Sequence, residues 1–187
     1  VIVGQSAGLN MTSGASNVAI GHDSALGVLT GANNVMVGKE SGKSLTSGAE
    51  NVALGKGTLF SATTATQCVA IGQNAGYAVT TGGAVNLVAI GHGAYNGAGD
   101  TETNNLAIGV SAMLGPSLAG AEYNVAVGNF ALDAITSGDD NTAVGYNAGG
   151  SLTEGLRLTA IGKSAGEELT TAIDCTFVGE SAGADVT

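Results

Sequence analysis

Several kinds of residue are scarce in this chain. Its 187 residues include no Trp, one Pro and 4% aromatic residues. A single Pro beside 32 glycines excludes collagen and Pro/Gly-rich disordered tracts. Charged residues make up only 11% and hydrophobic residues 44%, with a mean hydropathy of +0.29, which is too apolar for a disordered chain. The core must be built from small and branched aliphatic side chains, a composition typical of repetitive, layered β architectures.

Cations are scarce as well. Five Lys and Arg stand against 15 Asp and Glu, giving a net charge of −10. Nucleic acids and acidic membranes bind basic surfaces, which five cations cannot provide. No apolar run reaches the roughly 18 residues of a membrane-spanning helix, so we predict no membrane insertion. The chain begins inside a repeat at Val1, and we expect it to be an excerpt of a longer fibre.

What the chain does contain is a repeat that covers its full length. A small residue, a branched aliphatic residue and Gly recur every 17 residues, with three longer steps of 18 or 19 residues within 72–128. We interpret these longer steps as turn insertions. The repeated glycines, called anchor glycines below, are Gly4, Gly21, Gly38, Gly55, Gly72, Gly91, Gly109, Gly128, Gly145, Gly162 and Gly179.

Aligning the repeats on the anchor glycines gives columns of equivalent residues. The residues three and one before each anchor are mostly branched aliphatic, as in Val18 and Ile20, and the residue between them is mostly Ala, as in Ala19. This alternation indicates a strand that is apolar on both faces. We predict that the aliphatic columns face the coil interior and that the alanine column faces outward, against another copy of the chain.

The other half of each repeat predicts a second short strand. Segments such as 45–48 read Leu-Thr-x-Gly, typical of a strand that enters a turn at a left-handed Gly. Each repeat is therefore expected to be one coil with two strands and two turns. The predicted fold is an all-β, parallel β-solenoid of about eleven coils with 17–19-residue repeats, in a single segment spanning 1–187.

The repeats resemble those of a known family. Asn17–Gly21, Asn51–Gly55, Asn124–Gly128 and Asn141–Gly145 are similar to head repeats of YadA-type trimeric autotransporter adhesins and to repeats of bacteriophage tail-fibre-like proteins. The resemblance implies a left-handed β-roll packed as a homotrimeric rod. The 17-residue repeat is longer than usual for the adhesins, and no neck, stalk or anchoring barrel is present, so the choice between adhesin and phage fibre stays open.

An asparagine column lies four residues before many anchors. We interpret it as a buried structural ladder that hydrogen-bonds along the rod, with a sugar- or ice-binding strip as the alternative. Its members are Asn17, Asn34, Asn51, Asn105, Asn124 and Asn141. Cys68 and Cys175 occupy the same column six coils apart, roughly 29 Å, which is too far for a disulfide within the chain. Buried thiols are expected, with an interchain bridge as the alternative.

No residue pattern predicts catalysis, a cofactor or a metal. His22 and His92 each follow an anchor in a polar, variable column, and Asp139 and Asp140 lack the repeat of calcium-binding β-rolls. The segment 38–44 has three residues between its glycines, where a phosphate-binding loop needs four. We therefore predict a protein that is not an enzyme.

The predicted function is a structural or adhesive fibre segment. Its expected partners are itself, as a homotrimer, and a cell-surface glycan or protein receptor; its expected location is extracellular, on a bacterial surface or a phage virion. Tyr77, Tyr95 and Tyr123 lie in or beside the longer turns and are candidate surface contacts, unless those turns pack on the neighbouring coil.

Two other functional classes stay open at this point. One is a solenoid that binds ice or templates another ligand, because threonines recur eight residues after many anchors: Thr12, Thr46, Thr80, Thr136, Thr153 and Thr170. The other is a polysaccharide-active solenoid enzyme, although no acids, bases or histidines converge in the sequence pattern.

Overall fold

A computed structural model describes residues 1–79, 85–97, 104–118 and 120–184. These residues form one sheet of eleven parallel strands, arranged in chain order, and contain no helix. The strands are β1 (Ile2–Val3), β2 (Val18–Ile20), β3 (Val35–Val37), β4 (Val52–Leu54), β5 (Val69–Ile71), β6 (Val88–Ile90), β7 (Leu106–Ile108), β8 (Val125–Val127), β9 (Thr142–Val144), β10 (Thr159–Ile161) and β11 (Thr176–Val178). The predicted all-β parallel solenoid is confirmed.

The strand register follows the anchor glycines. Val18 pairs with Val35, one repeat further along, and Val69 pairs with Val88 across a 19-residue step. The added residues of the longer steps therefore leave the sheet register unchanged. Each anchor except the last lies close to the next one: a Cβ on Gly128 would stand 2.2 Å from the carbonyl oxygen of Gly145, so only glycine fits this column.

The predicted orientation of the strands is wrong. Ala19 and its equivalents, Met36 included, are fully buried in β2 to β10, whereas the aliphatic residues on either side are half-buried or exposed. The alanine column faces the coil interior because larger side chains from the opposite wall take up the space there. Leu132 Cδ2 and Ala143 Cβ, for example, lie 2.9 and 3.9 Å from the point that a Cβ on Gly149 would occupy.

Each complete coil turns at more corners than the two we predicted. Left-handed residues with φ between 48° and 78° recur five residues before the anchor, and two and four residues after it. Many are not glycine; Tyr123, Phe130 and Leu132 show the three positions around Gly128. Corners of this kind let a 17-residue coil fold around a narrow interior, although left-handed backbone is unfavourable for residues with a side chain.

The predicted second strand is also wrong. The wall opposite the sheet is joined from coil to coil by backbone hydrogen bonds such as Thr46 N–H to the Thr63 oxygen, 2.8 Å, but the described residues there form only isolated bridges. Gly48 and Gly138 are not left-handed. They are glycines because a Cβ on Gly48 would lie 2.2 Å from the Ala65 oxygen. Gly82, at the same repeat position, lies outside the described residues.

Candidate functional site

The outer face of the sheet carries two columns of aliphatic residues, which we call the aliphatic stripe. Its members precede the anchors by three and one residues, and the strand spacing of about 4.8 Å makes the stripe roughly 48 Å long. They are half-buried from β2 to β9 and more exposed at the rod ends, where Val178 is 67% exposed. The stripe comprises Val3, Val18, Ile20, Val35, Val37, Val52, Leu54, Val69, Ile71, Val88, Ile90, Leu106, Ile108, Val125, Val127, Thr142, Val144, Thr159, Ile161, Thr176 and Val178.

The size and composition of the stripe make it a candidate interface. The area between its two columns alone is about 300 Å², and contiguous apolar patches of that size and above mark interaction sites. From β2 to β8 it contains no polar side chain. Three threonines interrupt it at one end: Thr142, Thr159 and Thr176.

The six asparagines of the predicted ladder are buried, each at most 6% exposed. They form two groups of three that hydrogen-bond along the rod. Asn124 Oδ1 accepts the backbone N–H and the Nδ2 of Asn141, both at 3.0 Å, and Asn124 Nδ2 donates to the Gly138 oxygen at 2.8 Å. Side chains buried in this way cannot form the sugar- or ice-binding strip that was the alternative.

Cysteine and leucine end each group of asparagines. The backbone N–H groups of Cys68 and Leu158 donate to Asn51 Oδ1 (3.0 Å) and Asn141 Oδ1 (2.8 Å). Cys68 and Cys175 do not form a disulfide with each other, as their separation predicted. Cys68 is fully buried and burial raises its pKa to about 11, so the interchain bridge does not fit this residue. Cys175 is partly exposed.

The three candidate surface tyrosines have different environments. Tyr123 is 54% exposed. Tyr77 stacks on Phe60 with ring centroids 4.7 Å apart. Tyr95 is 1% exposed, and its hydroxyl accepts a hydrogen bond from Asn105 Nδ2 at 3.2 Å. Its proposed surface role is therefore wrong, because a left-handed corner turns this ring into the core.

Sequence reasoning missed a second aromatic pair. Phe130 and Tyr146 lie edge to face at 5.8 Å, and Tyr146 is 52% exposed. They follow successive anchors by two and one residues, so the repeat alignment places them in adjacent coils. The same alignment places Phe60 and Tyr77 at equivalent positions, five residues after their anchors.

Hydroxyls of the recurring threonines hydrogen-bond within the rod. Thr46 Oγ1 donates to the Thr63 oxygen at 2.9 Å, and Thr136 and Thr153 make the same bond to the following coil at 3.0 Å. An ice-binding array needs hydroxyls that are free to face water, whereas these donate to the backbone. Thr80 lies outside the described residues.

Ionisable groups pair between neighbouring coils, and Lys43 contacts both Asp23 at 3.6 Å and Glu40 at 3.0 Å. Arg157 Nη2 contacts Asp174 at 3.0 Å and Lys163 contacts Glu180 at 3.0 Å. The Arg157 guanidinium lowers the pKa of the Asp174 carboxyl, chiefly through their hydrogen bond.

The two histidines and the two adjacent aspartates considered in the sequence analysis do not build a ligand site. His22 Nδ1 lies 3.5 Å from Asp23, and Asp139 Oδ1 accepts the Glu122 N–H at 2.8 Å. His92 is exposed and Asp140 occupies a left-handed corner. Within the described ranges, no three His, Cys, Asp or Glu side chains come together as metal ligands.

Comparisons with protein-family models, with curated proteins and with solved structures find no match for this chain. The part of the chain described by the structure also contains no helix able to cross a membrane.

Proposed function

We propose that this chain is a segment of a structural or adhesive fibre, in which three copies pack side by side through the aliphatic stripe. The observation that carries the proposal is the stripe itself, a continuous apolar sheet face with β-branched side chains on both columns. Branched aliphatic residues on a sheet surface are typical of a face packed against another layer.

The periodicity of the stripe favours a second copy as its partner. Its side chains recur with every coil, about 4.8 Å, along some 48 Å. A globular partner has no surface with this repeat, whereas a second copy presents the same spacing along its whole length. The number of three chains, the extracellular location and the adhesive role rest on the resemblance of the Asn-x-Ala-x-Gly repeats to adhesin and phage-fibre repeats.

Adhesion requires a surface outside the interface between copies. Tyr123 and Tyr146 are the two tyrosines that are more than half exposed among the described residues. Aromatic rings suit contacts with sugars and with protein side chains. We propose that a cell-surface glycan or protein receptor contacts the rod in the coils that carry them.

Light scattering with size exclusion tests the self-association. We expect a mass of about three chains for the wild type and a single chain for Val88→Glu, which puts a charge in the centre of the stripe. Val28→Glu is the matched control, since Val28 is 53% exposed and outside the sheet, and we expect it to stay associated. A monomeric wild type would overturn the proposal, and a dimer would overturn the number of chains.

A further inference from the structure

A uniformly repeating stripe leaves the relative position of its partners undefined. Shifting one copy by a whole coil places Val or Ile against Val or Ile again, so apolar burial changes little with register. Reversing the direction of one copy along the rod also changes apolar burial little. A fibre segment in which chains must align therefore needs residues that distinguish one register from another.

We propose that Thr142, Thr159 and Thr176 set the parallel, in-register alignment of the chains, an inference that rests on the self-association proposed above. They are the only polar residues of the stripe among the described strands, and they occupy the same column in three successive coils at one end. Every other strand has Val or Leu in that column.

The hydroxyls of these threonines are available for contacts between chains. Thr142 and Thr159 are half-buried and Thr176 is exposed in the single chain. In the described part of the structure none of the three Oγ1 atoms makes a hydrogen bond, whereas Thr46 and Thr136 donate to the next coil. Thr and Val have nearly the same shape, so hydrogen bonding distinguishes them in an interface where shape does not.

The parallel, in-register arrangement pairs all three hydroxyls of one copy with those of the next. In a parallel, in-register bundle, residues of one coil lie at the same height, so the copies of Thr142 face each other. A slip of one coil keeps two threonine pairs but places one copy of Thr142 beside Val125 and leaves one copy of Thr176 without a partner, and each further coil of slip breaks one more pair. An antiparallel arrangement breaks all three pairs, because it places Thr142 and Thr159 beside Val35 and Val18. A hydroxyl buried against an aliphatic side chain loses its hydrogen bonds to water without replacement. Single polar residues specify register in coiled coils in the same way.

Spin-label distances test the alignment. A spin label is attached to the cysteine introduced by Ser13→Cys, in a Cys175→Ser background. Ser13 is exposed and lies outside the sheet, in the first complete coil. Cys68 is fully buried and reacts poorly. We expect one narrow distance for the parent. An antiparallel partner would add an axial offset of roughly 40–50 Å, and each coil of slip an offset of about 4.8 Å.

The decisive variant replaces all three threonines, T142V/T159V/T176V. We expect it to remain associated by light scattering but to show a broad or multiple distance distribution, with most pairs outside the parent distance. A matched variant, V18T/V35T/V52T, adds hydroxyls at the other end of the same column and should keep the single parallel distance, because the in-register arrangement pairs every added hydroxyl with its own copy.

The outcomes separate the two proposals. A monomeric parent overturns the self-association itself. An associated parent whose triple valine variant keeps the single narrow distance overturns the role of the threonines, as does a triple variant that dissociates, because the hydroxyls would then supply affinity and not register.

Discussion

Truncating one member of the asparagine ladder should destabilise the rod by much more than its size suggests. In Asn124→Ala, the side chain that accepts from the Asn141 N–H and Nδ2 and donates to the Gly138 oxygen is lost. Asn124 is fully buried, so water does not replace these bonds. Each buried group left without a partner costs about 1–3 kcal/mol.

Two groups lose their partner, the Asn141 N–H and the Gly138 oxygen, while Asn141 Nδ2 keeps its bond to the Gly155 oxygen. The expected loss is therefore about 2–6 kcal/mol in the free energy of unfolding, which for a chain of this length corresponds to a fall in Tm of roughly 4–24 °C. Thermal melting followed by circular dichroism measures the fall. Hydrogen exchange gives a local readout, since the Asn141 amide should lose protection before amides in distant coils, as expected for stability that is shared between neighbouring repeats.

Asn10→Ala is the matched control. Asn10 also donates from Nδ2 to a carbonyl of the next coil, Leu26, at 2.8 Å, but it does so at the exposed surface. Water can replace that bond, so we expect a loss below about 1 kcal/mol. The reasoning is refuted if Asn124→Ala costs no more than Asn10→Ala, or if the Asn141 amide keeps its protection.

Three further predictions concern single positions. Gly128→Ala should destabilise the fold strongly, because its Cβ would lie 2.2 Å from a carbonyl oxygen at φ 140°. Gly120→Ala should cost less, because only its left-handed backbone (φ 88°) disfavours alanine and nothing lies within 4 Å of its Cβ position; denaturant titration compares the two variants. Burial raises the pKa of the Asp133 carboxyl. The fold therefore loses stability as pH rises through the pKa of this group and the half-buried carboxyl ionises. Asp133→Asn removes this charge and should raise Tm at pH 7 but not at pH 3. Cys175 should react with a thiol reagent in the native protein and Cys68 only on unfolding, because Cys68 is fully buried and its pKa is raised to about 11; equal rates would contradict this.

Sequence periodicity predicts the columns of this fold and fails on which way they face. The anchor spacing alone gives the parallel register, including the 19-residue step from Gly72 to Gly91. The interior was assigned to the larger aliphatic residues because burial usually follows hydrophobicity. Which face has room for them depends on the opposite wall. The left-handed corners at Tyr95 and Leu132 occupy a repeat position that glycine fills in other coils, and a large residue there does not reveal from sequence that it enters the core.

The candidate site was likewise predictable from the sequence only in part. The ladder asparagines were recognisable because their amide groups recur at one repeat position. The threonines of the stripe recur at one position as well, but nothing in the sequence shows that Thr142 faces outward while Thr46 bonds to the next coil.

The size of the interior residues explains why the aliphatic side chains face outward. Three strands carry a large residue at the interior position, Ile2, Met36 and Phe177, and in each of these coils the residue four after the anchor is glycine. A Cβ on Gly42 would lie 2.6 Å from Met36 Sδ, and one on Gly183 would lie 2.5 Å from the Phe177 ring. Where the corner residue is large instead, as at Leu132, the strand has Ala. Each coil thus has room for one large side chain beside its strand. The Val, Ile and Leu side chains at most outward positions are not needed to fill that interior, so their recurrence along the stripe supports the proposal that a second copy packs against it.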